Sequence, residues 1–193
     1  MALRAKRIFI TYGRFQPVTW GHENSFNAIA KAAGDKPYRI FISHTNDKNE
    51  NPLKQGDKLK WMKLLLPDHA SNIVAINPSD PQTCVRYCMT QSKDIPYDSN
   101  ECVYMVGSDR VNSMQYLHNY NGCNPNHKSV DFSMKHFEIR STGSRDADGK
   151  TFAISGTKMR NWARDGDTDE FKRGLPKKHK LNDNEIEKFM QLL

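Results

Sequence analysis

The stretch YGRFQPVTWGHENSF, residues 12–26, decides the fold, because it joins the first strand of the chain to its first helix. Before it, RIFITY at 7–12 is a run of β-branched and aromatic residues that predicts a strand. After it, GHENSFNAIAKAAG at 21–34 places apolar residues at helical spacing and ends on Gly34, a natural helix terminus. The stretch is therefore a strand-to-helix connection.

This connection carries more polar chemistry than a turn requires. It holds four polar side chains that a plain turn does not need, Arg14, Gln16, Thr19 and His22. Gly13 lets backbone amides approach a ligand closely, and a helix that starts at Gly21 directs its N–H groups at an anion. His22 and Thr19 are placed to donate to phosphate oxygens, and Arg14 adds positive charge. The pattern predicts a phosphate-binding turn.

Strands and helices continue to alternate along the chain. Four further apolar runs predict strands, at 38–43, 72–77, 101–107 and 130–139. Helical patterns lie between them, and more helices follow the last strand. This alternation implies βαβ units with right-handed crossovers. The predicted fold is α/β, a Rossmann-like five-stranded parallel sheet with helices on both faces and a short C-terminal helical extension.

The second helical pattern, QGDKLKWMKLLLP at 55–67, predicts which of its side chains are buried. The face with helical spacing is formed by Leu59, Met62, Lys63 and Leu66. Residues 1–193 are predicted to form a single domain, in which 155–193 is the C-terminal helical part.

The carboxyl ends of the predicted strands bring four polar, glycine-containing segments to one edge of the sheet. They are GRFQPVTWGH at 13–22, SHTND at 43–47, GSDR at 107–110 and ISGTKMR at 154–160. In open α/β sheets ligands bind beyond these ends. We therefore expect one binding site that all four segments line.

The last of these segments supplies a second source of phosphate ligands. Ser155 is a candidate helix N-cap, Thr157 lies in the first turn, and Lys158 and Arg160 bring positive charge close by. Together with the turn after the first strand, this helix start would hold a polyphosphate from two sides. The sequence shows no Ser-His-Asp arrangement and no metal-ligand cluster. The pattern therefore favours phosphoryl-type transfer, in which positioning and charge stabilisation dominate.

Composition and charge agree with an intracellular protein that binds anions. The formal net charge is +7, which favours anionic partners such as nucleotides. No apolar segment is long enough to span a bilayer, and no signal peptide begins at Met1. We therefore expect a cytoplasmic protein without a membrane partner.

The four cysteines do not form the dense framework of a secreted miniprotein, which favours a reducing compartment. Cys84 and Cys88 share one face of a predicted helix and are expected to be small buried residues. A loop at 118–127 holds His118, Cys123 and His127, whose spacing matches no standard zinc site. Whether these three bind a metal stays open.

At this point a resemblance to a known family becomes clear. GRFQPVTWGH and ISGTKMR resemble the two signatures of the nucleotidyltransferase superfamily, (H/T)-x-G-H and IS-x-T-x-x-R, in order and in separation. GRFQP, ENPLK and the C-terminal segment are similar to archaeal-type nicotinamide mononucleotide adenylyltransferases. GSDRV and KRGLP resemble the small nucleotidyltransferases of tailed phages. The resemblance covers nearly the whole chain and is weakest between 110 and 150.

The resemblance implies transfer of AMP from ATP to a phosphorylated acceptor, with release of pyrophosphate. It implies catalytic roles on the phosphates for His22, Thr19, Arg160 and Arg14. The residues expected to bind the nucleotide are Gly13, Phe15, Gly21, Gly107, Asp109, Ile154, Ser155 and Thr157. The residues expected to bind the acceptor are Gln16, Ser43 and Asn51. Mg²⁺ would be carried by the nucleotide phosphates, without a dedicated metal site in the protein.

The acceptor is less determined than the reaction. The polar segment 43–54 suits a ribose and a carboxamide, so nicotinamide mononucleotide is the expected acceptor and NAD the product. Thr19 stands where the nicotinamide enzymes have His, and phosphopantetheine adenylyltransferases carry Thr there. Phosphopantetheine and a cytidylyl transfer therefore remain alternatives.

Other classes of function are weighed by the same residues. A non-catalytic phage protein that binds nucleotides or nucleic acid would exploit the charge, but no basic stripe with interleaved aromatics is evident. The expected partners are small nucleotide substrates, with nucleic acid disfavoured and a homo-oligomer possible. If the gene belongs to a phage, the compartment is the host cytoplasm.

Overall fold

The computed structural model describes residues 7–77, 79–90, 101–143 and 154–193. A five-stranded parallel sheet has the spatial order β3-β2-β1-β4-β5. Its strands are β1 (Arg7–Gly13), β2 (Tyr38–Ile42), β3 (Ile73–Ala75), β4 (Glu101–Val106) and β5 (His136–Ser141). The chain reverses its direction of winding at β1, which stands between β2 and β4. The predicted fold class is confirmed.

Seven α-helices and three short 3-10 helices are found in the described residues. The α-helices are α1 (Trp20–Ala33), α2 (Gln55–Leu65), α3 (Pro81–Thr90), α4 (Val111–Met114), α5 (Gly156–Asp165), α6 (Thr168–Gly174) and α7 (Asp183–Met190). The 3-10 helices are Pro67–Asn72, Ser108–Arg110 and Gln115–Tyr120. Among these helices, none has the length and apolar composition that crossing a membrane requires.

Alternate side chains of the strands face two separate cores, one on each side of the sheet. Phe9 of β1 joins the core that α1, α2 and α5–α7 cover, whereas Ile8 and Ile10 join the core beneath α3. Cys84 and Cys88 lie in the second core, as predicted, and burial raises the pKa of the Cys84 thiol. Because helices cover both faces, the carboxyl edge of the sheet is where the loops meet.

The buried face of α2 differs from the predicted one. The buried residues are Lys58, Trp61, Met62 and Leu65, while Lys63 is exposed. The face is rotated because Trp61 stacks on Phe189 of α7, with ring centroids 4.7 Å apart. This contact between distant segments is invisible to the local pattern, and it turns Lys58 toward the interior.

The fifth strand begins at His136, and its predicted start at 130 is wrong. In the described residues, the ladder of β5 with β4 starts at the pair of Glu101 and His136, and Phe132 forms only an isolated bridge with Asn121. The chain at Met134 instead pairs with the side chain of Asn121: Asn121 Nδ2 donates to the Met134 carbonyl, and the Met134 N–H donates to Asn121 Oδ1, both at 3.0 Å. An alternating apolar pattern therefore continues beyond the end of the ladder.

Candidate functional site

The turn after β1 is built around the ring of Phe15. Phe15 has a left-handed φ of 46° and is 7% exposed. Its ring folds over Gly13, where an added Cβ would lie 2.5 Å from the ring Cζ. The ring packs edge-on against His22, with centroids 5.1 Å apart. Gly13 is thus needed to admit the Phe15 ring, and Phe15 supports the imidazole of His22.

The orientation of His22 is set at the start of α1. The backbone N–H of Thr19 donates to His22 Nδ1 at 3.0 Å, and Thr19 Oγ1 lies 2.9 Å from the same nitrogen. A nitrogen that accepts a backbone N–H cannot carry a proton, so the neutral ring is protonated at Nε2. His22 therefore presents a defined N–H donor. Gly21 lies beside it in the first turn of α1, where an anion is favoured.

The hydroxyl of Thr19 contacts the imidazole of His22 in this structure. Thr19 is 1% exposed, and its side chain faces the imidazole. Its contacts support a role in orienting His22. A direct bond from Thr19 to a phosphate stays a prediction.

Arg160 joins the two segments that carry the phosphate ligands. It lies on α5 and is 8% exposed. Its Nη1 donates to the Gln16 carbonyl at 2.6 Å, across 144 residues of chain, and its Nη2 donates to Thr157 Oγ1 at 3.2 Å. Burial, followed by the nearby positive charge of Arg164, lowers the pKa of Arg160. The guanidinium thus fixes the start of α5 against the turn after β1.

The start of α5 is capped as the sequence predicts. Ser155 Oγ accepts the N–H of Lys158 at 3.2 Å. Gly156 follows, and a Cβ added there would lie 2.8 Å from the Gln16 carbonyl oxygen and 3.3 Å from Arg160 Nη1. The two backbones can approach this closely because residue 156 has no side chain. Ile154, just before the cap, packs against the core of the sheet.

Gly156→Ala is expected to push α5 away from the turn and to lower the free energy of unfolding by about 1–3 kcal/mol. Denaturant unfolding measures this loss. Gly56→Ala on α2 is the matched control, since a Cβ at Gly56 meets nothing within 4 Å. The control should be neutral or slightly stabilising. Equal stabilities of the two variants would contradict the close contact at Gly156.

On the other side of the turn, Gln16 and Ser43 form hydrogen bonds to the protein itself. Gln16 is 5% exposed; its Nε2 donates to the Leu53 carbonyl at 3.0 Å, and its Oε1 accepts the Leu53 N–H at 2.9 Å. Ser43 is fully buried; its N–H donates to the Gly13 carbonyl at 2.9 Å, and its Oγ donates to Thr45 Oγ1 at 2.6 Å. Both side chains therefore build the wall of the site, and direct contact with a substrate stays a prediction for each.

Asn51 closes a self-bonded loop over 46–51. Asp47 Oδ1 accepts the N–H groups of Asn49, Glu50 and Asn51, and the Asn51 side chain donates to Asp47 Oδ2. These hydrogen bonds, that of the Asn51 side chain foremost, lower the pKa of Asp47 to about 2. The loop therefore keeps its form at neutral pH. Asn51 itself is 4% exposed, and its role as a substrate ligand stays a prediction.

Two positively charged side chains near the site were not predicted from the sequence. Arg164 ties the loop to the C-terminus: its Nη2 donates to the Asn49 carbonyl at 2.9 Å, and its Nε donates to the Leu193 carbonyl at 3.2 Å. Lys58 is fully buried and donates to the Ser43 carbonyl at 2.7 Å. Helical spacing with Trp61 and Leu65 is the signal that could have placed Lys58 on the buried face.

The remaining predicted residues lie around this centre. Arg14 is exposed and lies 3.7 Å from a carboxylate oxygen of Glu50. Gly107 follows β4 and precedes the 3-10 helix Ser108–Arg110, in which Asp109 is 64% exposed. β4 adjoins β1 in the sheet, so this segment reaches the same edge from the other side. The bond from Arg160 to the Gln16 carbonyl joins the start of α5 to the turn after β1.

In the described part of the chain, no group of three or more His, Cys, Asp or Glu residues could hold a metal ion. The ring of His118 packs against Phe137, with centroids 5.2 Å apart. His127 Nδ1 lies 2.8 Å from the Asn124 carbonyl oxygen. The imidazoles of His118 and His127 are thus engaged with their own surroundings, and Cys123 is an exposed free cysteine.

Comparisons with known structures agree with this fold. Two solved structures of Plasmodium falciparum nicotinic acid mononucleotide adenylyltransferase, one complexed with APC and one with NaAD, match the fold with TM-scores of 0.56 and 0.52. Their sequence identities are 12% and 13%, and the matches cover 96% of this chain and 96% and 97% of theirs. No curated protein matches the sequence.

The family comparison spans both phosphate-ligand segments. A family model described as cytidylyltransferase-like matches residues 10–161, from within β1 to just past Arg160, which is more than half of the chain. The chain therefore belongs to the cytidylyltransferase-like family of the nucleotidyltransferase superfamily, and the protein is a nucleotidyltransferase enzyme.

Proposed function

We propose that this enzyme transfers AMP from ATP to nicotinamide mononucleotide, giving NAD and pyrophosphate. The observation that carries the proposal is the buried bond from Arg160 Nη1 to the Gln16 carbonyl, 2.6 Å long. It brings the starts of α1 and α5 to one place, so that His22 and Arg160 act on the same triphosphate. ATP enters as its magnesium complex, and the cation belongs to the substrate.

The chemistry needs little from the protein besides position and charge. A phosphate oxygen of the acceptor attacks the α-phosphorus of ATP, and the bond from that phosphorus to the bridging oxygen breaks. Pyrophosphate leaves with the electron pair. The attacking phosphate is already ionised near neutral pH, so no general base has to remove a proton. Stabilisation of the charge on the oxygens is the task that remains.

His22 and Arg160 divide this task. His22 donates from Nε2 to a phosphate oxygen, because its Nδ1 is occupied by the Thr19 N–H. Arg160 uses Nη1 and Nη2 in bonds to the protein, and its further N–H groups serve the triphosphate. Both donors are held in place before the substrate arrives, which is what makes such groups effective.

Arg14 is available at low cost to bind a phosphate. Its Glu50 partner lies 3.7 Å away, and both side chains are more than half exposed. Exposed ion pairs of this kind contribute about 0–1 kcal/mol. A phosphate can therefore displace Glu50 from Arg14 without a large loss.

The acceptor is assigned from the wall formed by residues 43–54. This wall is polar and pre-ordered by the Asp47 loop, and it suits a ribose and an amide better than an apolar arm. The resemblance of GRFQP and ENPLK to archaeal-type nicotinamide mononucleotide adenylyltransferases, and of GSDRV and KRGLP to phage nucleotidyltransferases, supports a mononucleotide acceptor. So does the NaAD complex of the Plasmodium falciparum enzyme, which has a similar fold.

A panel of substrates tests the proposal. The purified protein is incubated with MgATP or MgCTP and with nicotinamide mononucleotide, nicotinic acid mononucleotide or phosphopantetheine, and the products are separated by chromatography. We expect NAD from MgATP and nicotinamide mononucleotide. Dephospho-coenzyme A would overturn the acceptor and keep the adenylyl transfer. A cytidylyl product would overturn the choice of ATP. This alternative, transfer from CTP, is the one named in the family description.

Asn51→Ala is expected to raise the KM for nicotinamide mononucleotide by about tenfold and that for ATP by less. The substitution removes the bond from Asn51 Nδ2 to the Asp47 carboxylate and loosens the loop over 46–51. Steady-state kinetics with each substrate varied in turn measures the difference. Asn49→Ala is the control, since Asn49 contributes backbone bonds to the same loop. A larger change in the KM for ATP than in that for nicotinamide mononucleotide would contradict a role of this loop in binding the acceptor.

A further inference from the structure

Lys58 is a buried cation at the carboxyl end of β2. It is fully buried, and its Nζ donates to the Ser43 carbonyl at 2.7 Å. Among the described residues, no carboxylate lies within 4.0 Å of this ammonium. Burying an ammonium without a counter-charge is costly, even after the surrounding structure relaxes. A bound anion close to Lys58 would compensate this cost and favour the charged form.

The surroundings of Lys58 lead directly to the phosphate turn. Ser43, whose carbonyl accepts from Lys58, donates its own N–H to the Gly13 carbonyl at 2.9 Å. Arg14 follows Gly13, and it is the charged group from a neighbouring segment that acts on Lys58. Its charged neighbours along the chain include Lys54, the N-cap of α2, and Asp57 in the first turn. Lys58 thus lies beneath the turn to which we assign the triphosphate.

The protonation of Lys58 reflects this setting. Burial, followed by the positive charge of Arg14, lowers the pKa of Lys58 to about 8. The ammonium is therefore mostly charged at pH 7 and mostly neutral at pH 9. An anion bound above the turn would favour the charged form and raise this pKa again.

We propose that Lys58 is a positioning residue for the nucleotide: it fixes the Ser43 carbonyl and places a buried positive charge beneath the phosphates bound at the turn after β1. The assignment rests on the proposed nucleotide site and does not depend on the acceptor. Lys58 acts through the turn and through its charge, because it is covered by protein.

The test measures MgATP binding by titration calorimetry between pH 7 and 9.5 in the wild type, Lys58→Arg and Lys58→Met. Phosphate esters lose their second proton at a pKa of about 6, so the charge of the ligand is constant over this range. We expect the wild-type Kd to rise by about tenfold as pH increases through 8, with proton uptake on binding near pH 8.5. Lys58→Arg should keep tight binding and lose both effects. Lys58→Met should bind about tenfold more weakly at pH 7 with a flat profile.

The outcomes separate this proposal from the proposed function. A pH profile and proton uptake that persist in Lys58→Arg would overturn the role of Lys58, even if transfer activity is present. The expected profiles without any transfer to an acceptor would keep Lys58 and overturn the reaction. If the wild type binds neither MgATP nor MgCTP, the proposed nucleotide site is overturned, and the role of Lys58 is overturned with it. If Lys58→Met does not fold, Lys58→Arg alone decides.

Discussion

Replacing His22 by alanine is expected to lower turnover by about a hundred- to a thousandfold, the usual cost of losing one positioned donor to the transition state. The physical reason is the fixed tautomer. The Thr19 N–H occupies Nδ1 at 3.0 Å, so Nε2 carries the hydrogen that a phosphate oxygen accepts. Initial rates of pyrophosphate release at saturating substrates measure the effect.

The fold should survive this substitution. His22 is partly exposed and its main packing partner is the Phe15 ring, so a loss of about 1 kcal/mol in the free energy of unfolding is expected. Thr19→Val is an informative companion, because it removes the hydroxyl and keeps the backbone N–H that sets the tautomer. Its turnover should fall by about tenfold or less. Unchanged turnover in His22→Ala would remove His22 from the site.

Arg160→Lys is expected to weaken MgATP binding and to slow turnover, each by about ten- to a hundredfold, although the charge is kept. The guanidinium reaches the Gln16 carbonyl and Thr157 Oγ1 at the same time and still offers N–H groups to the triphosphate. An ammonium is a compact point charge and cannot span these partners. Binding titrations and single-turnover rates separate the two effects.

Arg173→Lys provides the control for this substitution. Arg173 lies on α6 and forms an exposed ion pair with Glu170, so its replacement should leave binding and turnover unchanged. If Arg160→Lys behaved like Arg173→Lys, the geometry of the Arg160 guanidinium would not matter for binding or turnover. The second half of the phosphate site would then have to lie elsewhere.

The fold was predictable because the three central strands, β1, β2 and β4, are largely buried. After a first charged residue, runs such as RIFITY and ECVYMV are continuously apolar, aromatic or β-branched. Asp80, Ser155 and Asn182 mark helix starts by capping chemistry that is local in sequence. The candidate site was predicted from the rule that ligands bind at the carboxyl edge of such a sheet. That rule places 13–22 and 154–160 together, and the structure joins them through the bond from Arg160 to the Gln16 carbonyl.

The supporting contacts were not predictable, because each depends on a partner far away in the chain. Gln16 appears polar and ready for a ligand, yet its amide is paired with the backbone of Leu53. Lys58 shares helical spacing with Trp61 and Leu65, but only the packing of Trp61 on the distant Phe189 identifies that face of α2 as the buried one. The left-handed backbone of Phe15 leaves no local signal either.

The most direct test of the central claim uses ATP that is radioactively labelled at one of two phosphorus positions. The enzyme is incubated with nicotinamide mononucleotide and ATP carrying a radioactive phosphorus at either the α or the γ position. Transfer of AMP predicts that α-label enters the dinucleotide product and that γ-label leaves in pyrophosphate. Both signals should appear about a hundred- to a thousandfold more slowly in His22→Ala. Appearance of γ-label in the acceptor, or as orthophosphate alone, would contradict nucleotidyl transfer at this site.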